Sequence, residues 1–262
     1  MQERHQKRKI YFQEQARTTE KYVIPFIEQK KNISTQHRVL EVGCGEGGNL
    51  LPFLKRGCEV WGVDIACHKI QLGQTYLKEF PESQVHLLCE DMYHIAPRLR
   101  VKFDIILMRD VMEHLPRQEA MLRLLKQLLA PDGILFVGFP PIYMPFGGHQ
   151  QVCESKILAI WPYLHLFPNP LYRQLLQWFG EKQARIQELL VIKTTGITIE
   201  QFHKIVHQAG LTILVETLYL INPNYETKFG LKPRVQFPLL ARIPGLRNFV
   251  STCGYYLIGH PL

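Results

Sequence analysis

Residues 39–50 read VLEVGCGEGGNL, an apolar run that ends in glycines spaced for close approach of the backbone to a ligand. Gly43, Gly45 and Gly48 satisfy the G-x-G-x-x-G spacing of dinucleotide turns, and Gly43, Gly45 and Gly47 satisfy the tighter G-x-G-x-G spacing. The flanking acids separate the two. A dinucleotide brings a diphosphate to such a turn, where Glu41 and Glu46 would repel it. The same carboxylates suit a ligand that carries an ammonium and a sulfonium and no phosphate.

That charge pattern points to S-adenosylmethionine. Asp64 lies 21 residues after Gly43 and ends an apolar run, where a carboxylate can accept hydrogen bonds from two ribose hydroxyls; this also fits NAD and does not discriminate. Asp91 is placed to receive an adenine amino group, with Met92 packing on the ring. Methyl transfer to a hydroxyl needs a proton acceptor, for which His114 and His149 are the candidates and Tyr143 a weaker one. Asp110, Glu113 and His114 stand at i, i+3 and i+4, a spacing that also holds metals, but helix-capping acids are the simpler expectation and no metal is assigned. His203 and His207 have ligand spacing without a third partner and read as a helix face.

The elements that would position these residues alternate. TTEKYVIPFIEQKK (18–31) predicts a helix, N-capped by Thr18 or Thr19 and bent at Pro25. HRVLEVG, NLLPFLKRG and CEVWGVD then read strand, helix, strand; a helix near 67–80 closed by Pro81, strands at QVHLLCED and KFDIILMR, the helix RQEAMLRLLKQLLA and the strand ILFVGF follow. This predicts a doubly wound, mostly parallel sheet with ligands above the strand C-termini. Residues 142–195, rich in aromatics and prolines, predict an inserted helical lid, with QLLQWFGEKQARIQELL as a helical run. Thr198 and Gln201 predict a capping box, LTILVETLYLI a long strand, and RIPGLRNFVSTCGYYLIG a short helix and a last strand at the sheet edge.

Composition permits one such domain: 262 residues, 46% hydrophobic and 21% charged. The six cysteines form no C-x-x-C pair and are expected to be reduced thiols of a cytoplasmic protein. No signal-peptide core and no 18-residue apolar stretch is seen. Net charge is +8, with basic residues gathered at the two ends, at Arg4, Lys7, Arg8 and Lys9 and at Lys228, Lys232, Arg234, Arg242 and Arg247. Such a surface attracts nucleic acid, anionic lipid or an acidic small molecule. The alternation of basic and apolar residues in RVQFPLLARIPGLRNF suits peripheral contact with a membrane surface.

Over roughly residues 35–142 the chain resembles the class I S-adenosylmethionine-dependent methyltransferases, in particular the small-molecule ubiquinone-pathway O-methyltransferases. The resemblance is carried by E-x-G-C-G-x-G, the acid ending strand two, the E-D-M after strand three, FDIILMRDVMEHL and LLAPDGILFV, in the family's order. It implies an α/β, Rossmann-like, seven-stranded sheet; an N-terminal helical segment over 1–34 and the catalytic domain over 35–262; and a cofactor site of Glu41, Gly43, Cys44, Gly45, Gly47, Asp64, Ile65, Asp91, Met92 and Arg109. In the ubiquinone-pathway enzymes the similar E-x-x-E-H segment binds a divalent metal; here its first residue is Asp110. The N/D-P-P-Y segment of base- and glutamine-methylating relatives is missing, which argues against nucleic-acid acceptors; the aromatic, proline-bearing lid segment fits an apolar pocket, and the acceptor expected is a small, apolar or lipid-like molecule methylated at oxygen. Two alternatives stay open: a cofactor-binding module without turnover, and an NAD-dependent oxidoreductase.

Overall fold

The protein, seen in a computed structural model, is described over residues 8–261, so the basic residues Arg4 and Lys7 lie outside the described part. Eight strands form one sheet: β1 (Arg38–Val42), β2 (Glu59–Asp64), β3 (Val85–Cys89), β4 (Phe103–Arg109), β5 (Leu129–Phe139), β6 (Thr212–Ile221), β7 (Arg234–Val235) and β8 (Cys253–Gly259). Their order is β3-β2-β1-β4-β5-β8-β6-β7, parallel from β3 to β5 and antiparallel beyond. The chain leaves β1 toward β2 and β3, then crosses back to β4 and β5. The crevice where this order reverses opens above the C-terminal ends of β1 and β4.

The central strands are near-continuous apolar runs because both faces are covered. Along β4, Ile105 and Leu107 enter a core with Phe26, Leu50, Phe53, Phe136 and Tyr255, while Ile106 and Met108 enter the opposite core with Leu122, Leu125, Phe139 and Phe202. The amphipathic helix Gln118–Leu128 supplies Met121, Leu122, Leu125 and Leu128 to the second core, the i, i+1, i+4, i+7 stripe expected of a buried helix face.

Several expectations are corrected. The sheet has eight strands rather than seven, the addition being the two-residue β7. The last strand lies inside the sheet between β5 and β6, not at its edge; all seven of its residues are buried, as an interior position requires. The first helix does not begin at Thr18 or Thr19: an α-helix, Arg8–Thr18, passes through a π-helical turn, Thr19–Val23, into Ile24–Ile27. Pro25 has no N–H to give to that turn, which accounts for the local widening. The helix near 67–80 stops at Tyr76, and Gly180, at φ +80°, divides the expected helical run into Asn169–Trp178 and Gln183–Thr195. The insert holds its own small core of Leu158, Leu164, Tyr172, Leu176, Ile186 and Leu189. The cysteines are not all reduced: Cys67 and Cys89 form a disulfide, while Cys44, Cys58, Cys153 and Cys253 are free and buried. The pairing follows from register, since Cys89 stands opposite Asp64 and the chain turns back three residues later at Cys67.

Candidate cofactor and acceptor site

The glycine turn leaves β1 at the crevice. Gly43 adopts φ +69°, and a side chain there would place its Cβ 2.5 Å from Val111 Cγ2. Gly47 is also left-handed, at φ +77°, whereas Gly48 is not; a Cβ on Gly48 would meet the Phe12 carbonyl oxygen at 2.6 Å. Gly48 therefore serves contact with the first helix, and the turn itself follows the G-x-G-x-G pattern.

Beneath the turn runs a chain of buried polar groups. Asn49 Nδ2 donates to Glu41 Oε1 at 2.5 Å, while Asn49 Oδ1 accepts from Thr19 Oγ1 at 2.7 Å and from Arg109 Nη1 at 2.9 Å. Glu41 is 1% exposed, and its Oε2 has no hydrogen-bond partner among the described residues. Burial raises its pKa to about 8 against the opposing pull of Asn49 and Arg109, with Asp64 adding to the rise. Glu46, equally buried, forms an ion pair with Arg8 at 3.1 Å. The negative charge that the sequence places at the turn is thus held in reserve: one carboxyl is protonated and the other is paired. Asn49 carries no expectation from sequence, although it stands within the glycine stretch itself, and Thr19 carries only that of a helix N-cap.

Asp64 accepts from Gly45 N–H and Ala66 N–H, both at 2.8 Å, so it clamps the turn and is itself buried. Ile65 beside it is 77% exposed, an apolar side chain with open space over it. Asp91 caps the short helix Met92–Ile95 by accepting from Tyr93 N–H at 2.8 Å. Met92 is buried in the core beneath the crest rather than displayed on it, and Cys44 is buried too, its thiol pushed well above the usual range by burial. The Cys67–Cys89 disulfide ties together the segment after β2, which carries Ile65, and the end of β3, two residues before Asp91.

A second cluster lies past β4 and β5. Glu113 and His114 come from a 3₁₀ turn, Met112–His114, and His149 from the loop after β5, at φ +57°. The two histidine rings are 4.9 Å apart and edge-on, and one ligand atom from each of Glu113, His114 and His149 lies within 4.8 Å of the others. Both Glu113 carboxylate oxygens are buried without a hydrogen-bond donor among the described residues, and its pKa is raised well above the usual range by burial and by Asp110. Burial and then His114 lower the His149 pKa to about 4, leaving the ring neutral across the ordinary range. Burial lowers the His114 pKa as well. Asp110 does not share a helical face with this pair: it is left-handed at φ +55° and turns toward Asn224, 3.3 Å away, and Arg109. Thr195, ending a lid helix, donates to the Glu113 carbonyl at 2.7 Å, so the insert rests on this turn. Tyr143 is 39% exposed and stacks on Phe249, and His203 is engaged by Glu216 at 3.1 Å.

Comparison with known proteins agrees in direction. A family described as a methyltransferase domain matches residues 12–216. Ubiquinone biosynthesis O-methyltransferase of Actinobacillus pleuropneumoniae serotype 7 is 28% identical over 184 residues, 63% of this chain and 73% of that protein. The enzyme of the same name from Histophilus somni is 28% identical over 116 residues, 43% of this chain; there the match spans about half the relative's length, 49%. Among solved structures, a magnesium protoporphyrin IX methyltransferase from Synechocystis with bound S-adenosylhomocysteine superposes with a TM-score of 0.54 at 16% identity, covering 94% of this chain and 84% of the other. The last comparison speaks to the fold alone.

Proposed function

Because the chain belongs to the class I S-adenosylmethionine-dependent methyltransferase family, we propose that it transfers a methyl group from S-adenosylmethionine to a hydroxyl of a small, largely apolar acceptor. The observation that carries this reading is Glu41: a buried carboxyl with one unpartnered oxygen, under a glycine turn at the switch point of the sheet. A cationic ammonium completes such a site, and a diphosphate does not.

S-adenosylmethionine supplies an already activated methyl group on a sulfonium. Glu41, Gly43, Gly45 and Gly47 hold its methionyl part in this reading, with Cys44 beneath and Arg109 fixing Asn49 behind. Asp64 and Ile65 meet the ribose and adenine edge, and Asp91 the adenine amino group; Met92 backs that pocket from the core. Because methyl transfer is an in-line displacement, the chain's remaining work is to align the acceptor oxygen and keep water out. His149 Nε2 or Nδ1, neutral and half-buried, takes the hydroxyl proton, and His114 supports it.

A second reading has a specific observation in its favour. The unpartnered, buried Glu113 carboxyl beside His114 and His149 has the donor set of a divalent cation. A cation held there would polarise the acceptor hydroxyl. Turnover assays on hydroxyl, amine and thiol acceptors of matched shape, with chelator-treated and metal-supplemented protein, test both readings. Methylation confined to hydroxyls supports the proposal, and loss of turnover with chelator selects the second version of it. Cofactor binding with no transfer to any acceptor would leave a binding module.

A further inference from the structure

The segment between β6 and β8 is built with polar groups inward and apolar groups outward. Gln236 and Asn248 are 2% and 0% exposed, while Phe237 and Leu239 are 60% and 75% exposed. Val235, Ile243 and Leu246 are exposed with them. Hydrogen bonds fix this inversion. The Gln236 backbone N–H donates to the Leu218 carbonyl at 2.8 Å and its side chain to that of Val250 at 2.5 Å. Asn248 donates to Glu200 Oε2 at 2.6 Å and accepts from Ile199 N–H at 2.8 Å, and Arg247 pairs with Glu200 at 2.8 Å. The apolar side chains are therefore held out by design of the backbone rather than left over from poor packing.

The charge of the segment is one-sided. From Thr227 to Leu262 the sequence contains no Asp or Glu. Lys232, Arg234 and Arg242 are exposed there and form no ion pair among the described residues. At the far end of the patch Phe249 stacks on Tyr143, and its carbonyl accepts from Tyr163 Oη at 3.2 Å, so the patch abuts the loop between β5 and the lid that also carries His149.

We propose that this face docks on an anionic lipid bilayer, with Phe237, Leu239 and Leu246 entering the headgroup boundary and Lys232, Arg234 and Arg242 lying over the lipid phosphates. A water-facing surface does not hold large apolar side chains outward over buried amides, and a boundary that is apolar below and anionic above matches both halves of the pattern. A second copy of the chain is the poorer occupant, because a two-fold contact would set the same cations against one another. The proposal deepens the reading of an apolar acceptor, since the docked edge adjoins the acceptor side of the site, but its test is independent of methyl transfer.

The experiment is flotation of the full chain with vesicles of phosphatidylcholine alone and of phosphatidylcholine mixed with phosphatidylglycerol, comparing the native protein, Leu239→Glu, and Arg234→Gln/Arg242→Gln. Each cation near an anionic surface is worth about fivefold in partitioning, so the double variant should bind mixed vesicles roughly 30-fold more weakly. Leu239→Glu should lose at least about tenfold. Both should keep the far-UV circular dichroism and the Tm of the native chain, which shows that they are folded and keeps this test apart from the cofactor reading. Equal binding to the two vesicle types, absence of vesicle binding at low salt, or a self-association that Leu239→Glu abolishes without any lipid dependence would each overturn the proposal.

Discussion

Replacing Glu41 by Gln isolates the charge on which cofactor choice rests. In the free chain this carboxyl has a pKa of about 8, so near pH 7 it is mostly protonated. Ionising it there costs about 1.4 kcal/mol. An ammonium about 4 Å away, at an effective dielectric near 20, returns about 4 kcal/mol. Binding near pH 7 should therefore release close to one proton, and the release should fade above the pKa, where the carboxylate is already charged. Titration calorimetry with S-adenosylmethionine in two buffers of different ionisation enthalpy reads this directly. Glu41→Gln should abolish the buffer dependence and weaken binding by about 2–3 kcal/mol, roughly 30- to 150-fold. The same group gives the free fold a pH signature. Its pKa is raised from 4.5, so its contribution to stability is full below about 4.5 and declines as pH rises toward about 8; Glu41→Gln should flatten that slope. Buffer-independent heats in the native chain, together with undiminished affinity in the variant, would refute the reasoning.

Other expected outcomes follow from the same geometry. Gly43→Ala forces a Cβ against Val111 at a positive φ and should lower stability by about 1–3 kcal/mol while weakening cofactor binding, read by thermal melts and calorimetry. His149→Ala should depress turnover by a hundredfold or more, of the order removed with a general base, and leave cofactor affinity within a factor of a few; equal turnover would remove His149 from the chemistry. Reduction by a dithiol, or Cys67→Ser, opens a loop of 22 residues and should cost about 3 kcal/mol, or about 6–12 °C in Tm. Alkylation of all six cysteines without reductant would contradict the disulfide.

What was legible in the sequence was local. The β-α-β alternation could be read because strands buried on both faces are continuous apolar runs, and the Thr198–Gln201 capping box is present in both directions, at 3.1 and 3.0 Å. The glycine turn was also legible, since three left-handed glycines are a backbone demand that few other residues meet. What depended on strand order was not. The all-apolar CGYYLIG run suits an interior strand, but no local signal says between which neighbours it inserts. The Cys67–Cys89 bond needs the β2–β3 register, and the meeting of His114 with His149 needs β4 and β5 side by side. Glu46 illustrates a further limit: its charge was legible, but the ion pair that offsets it comes from Arg8 on a helix whose start the capping signals misplaced. The outward-facing apolar segment was suggested by composition, but only the burial of Gln236 and Asn248 reveals that the orientation is imposed.

The central claim is that the crevice above β1 and β4 receives a cationic, phosphate-free nucleoside. Calorimetric titration of the purified chain with S-adenosylmethionine, followed by NADH as competitor, tests it most directly. One-to-one saturation by S-adenosylmethionine that NADH does not displace is the expected result. Saturation by NADH, with no heat from S-adenosylmethionine or S-adenosylhomocysteine, would contradict it.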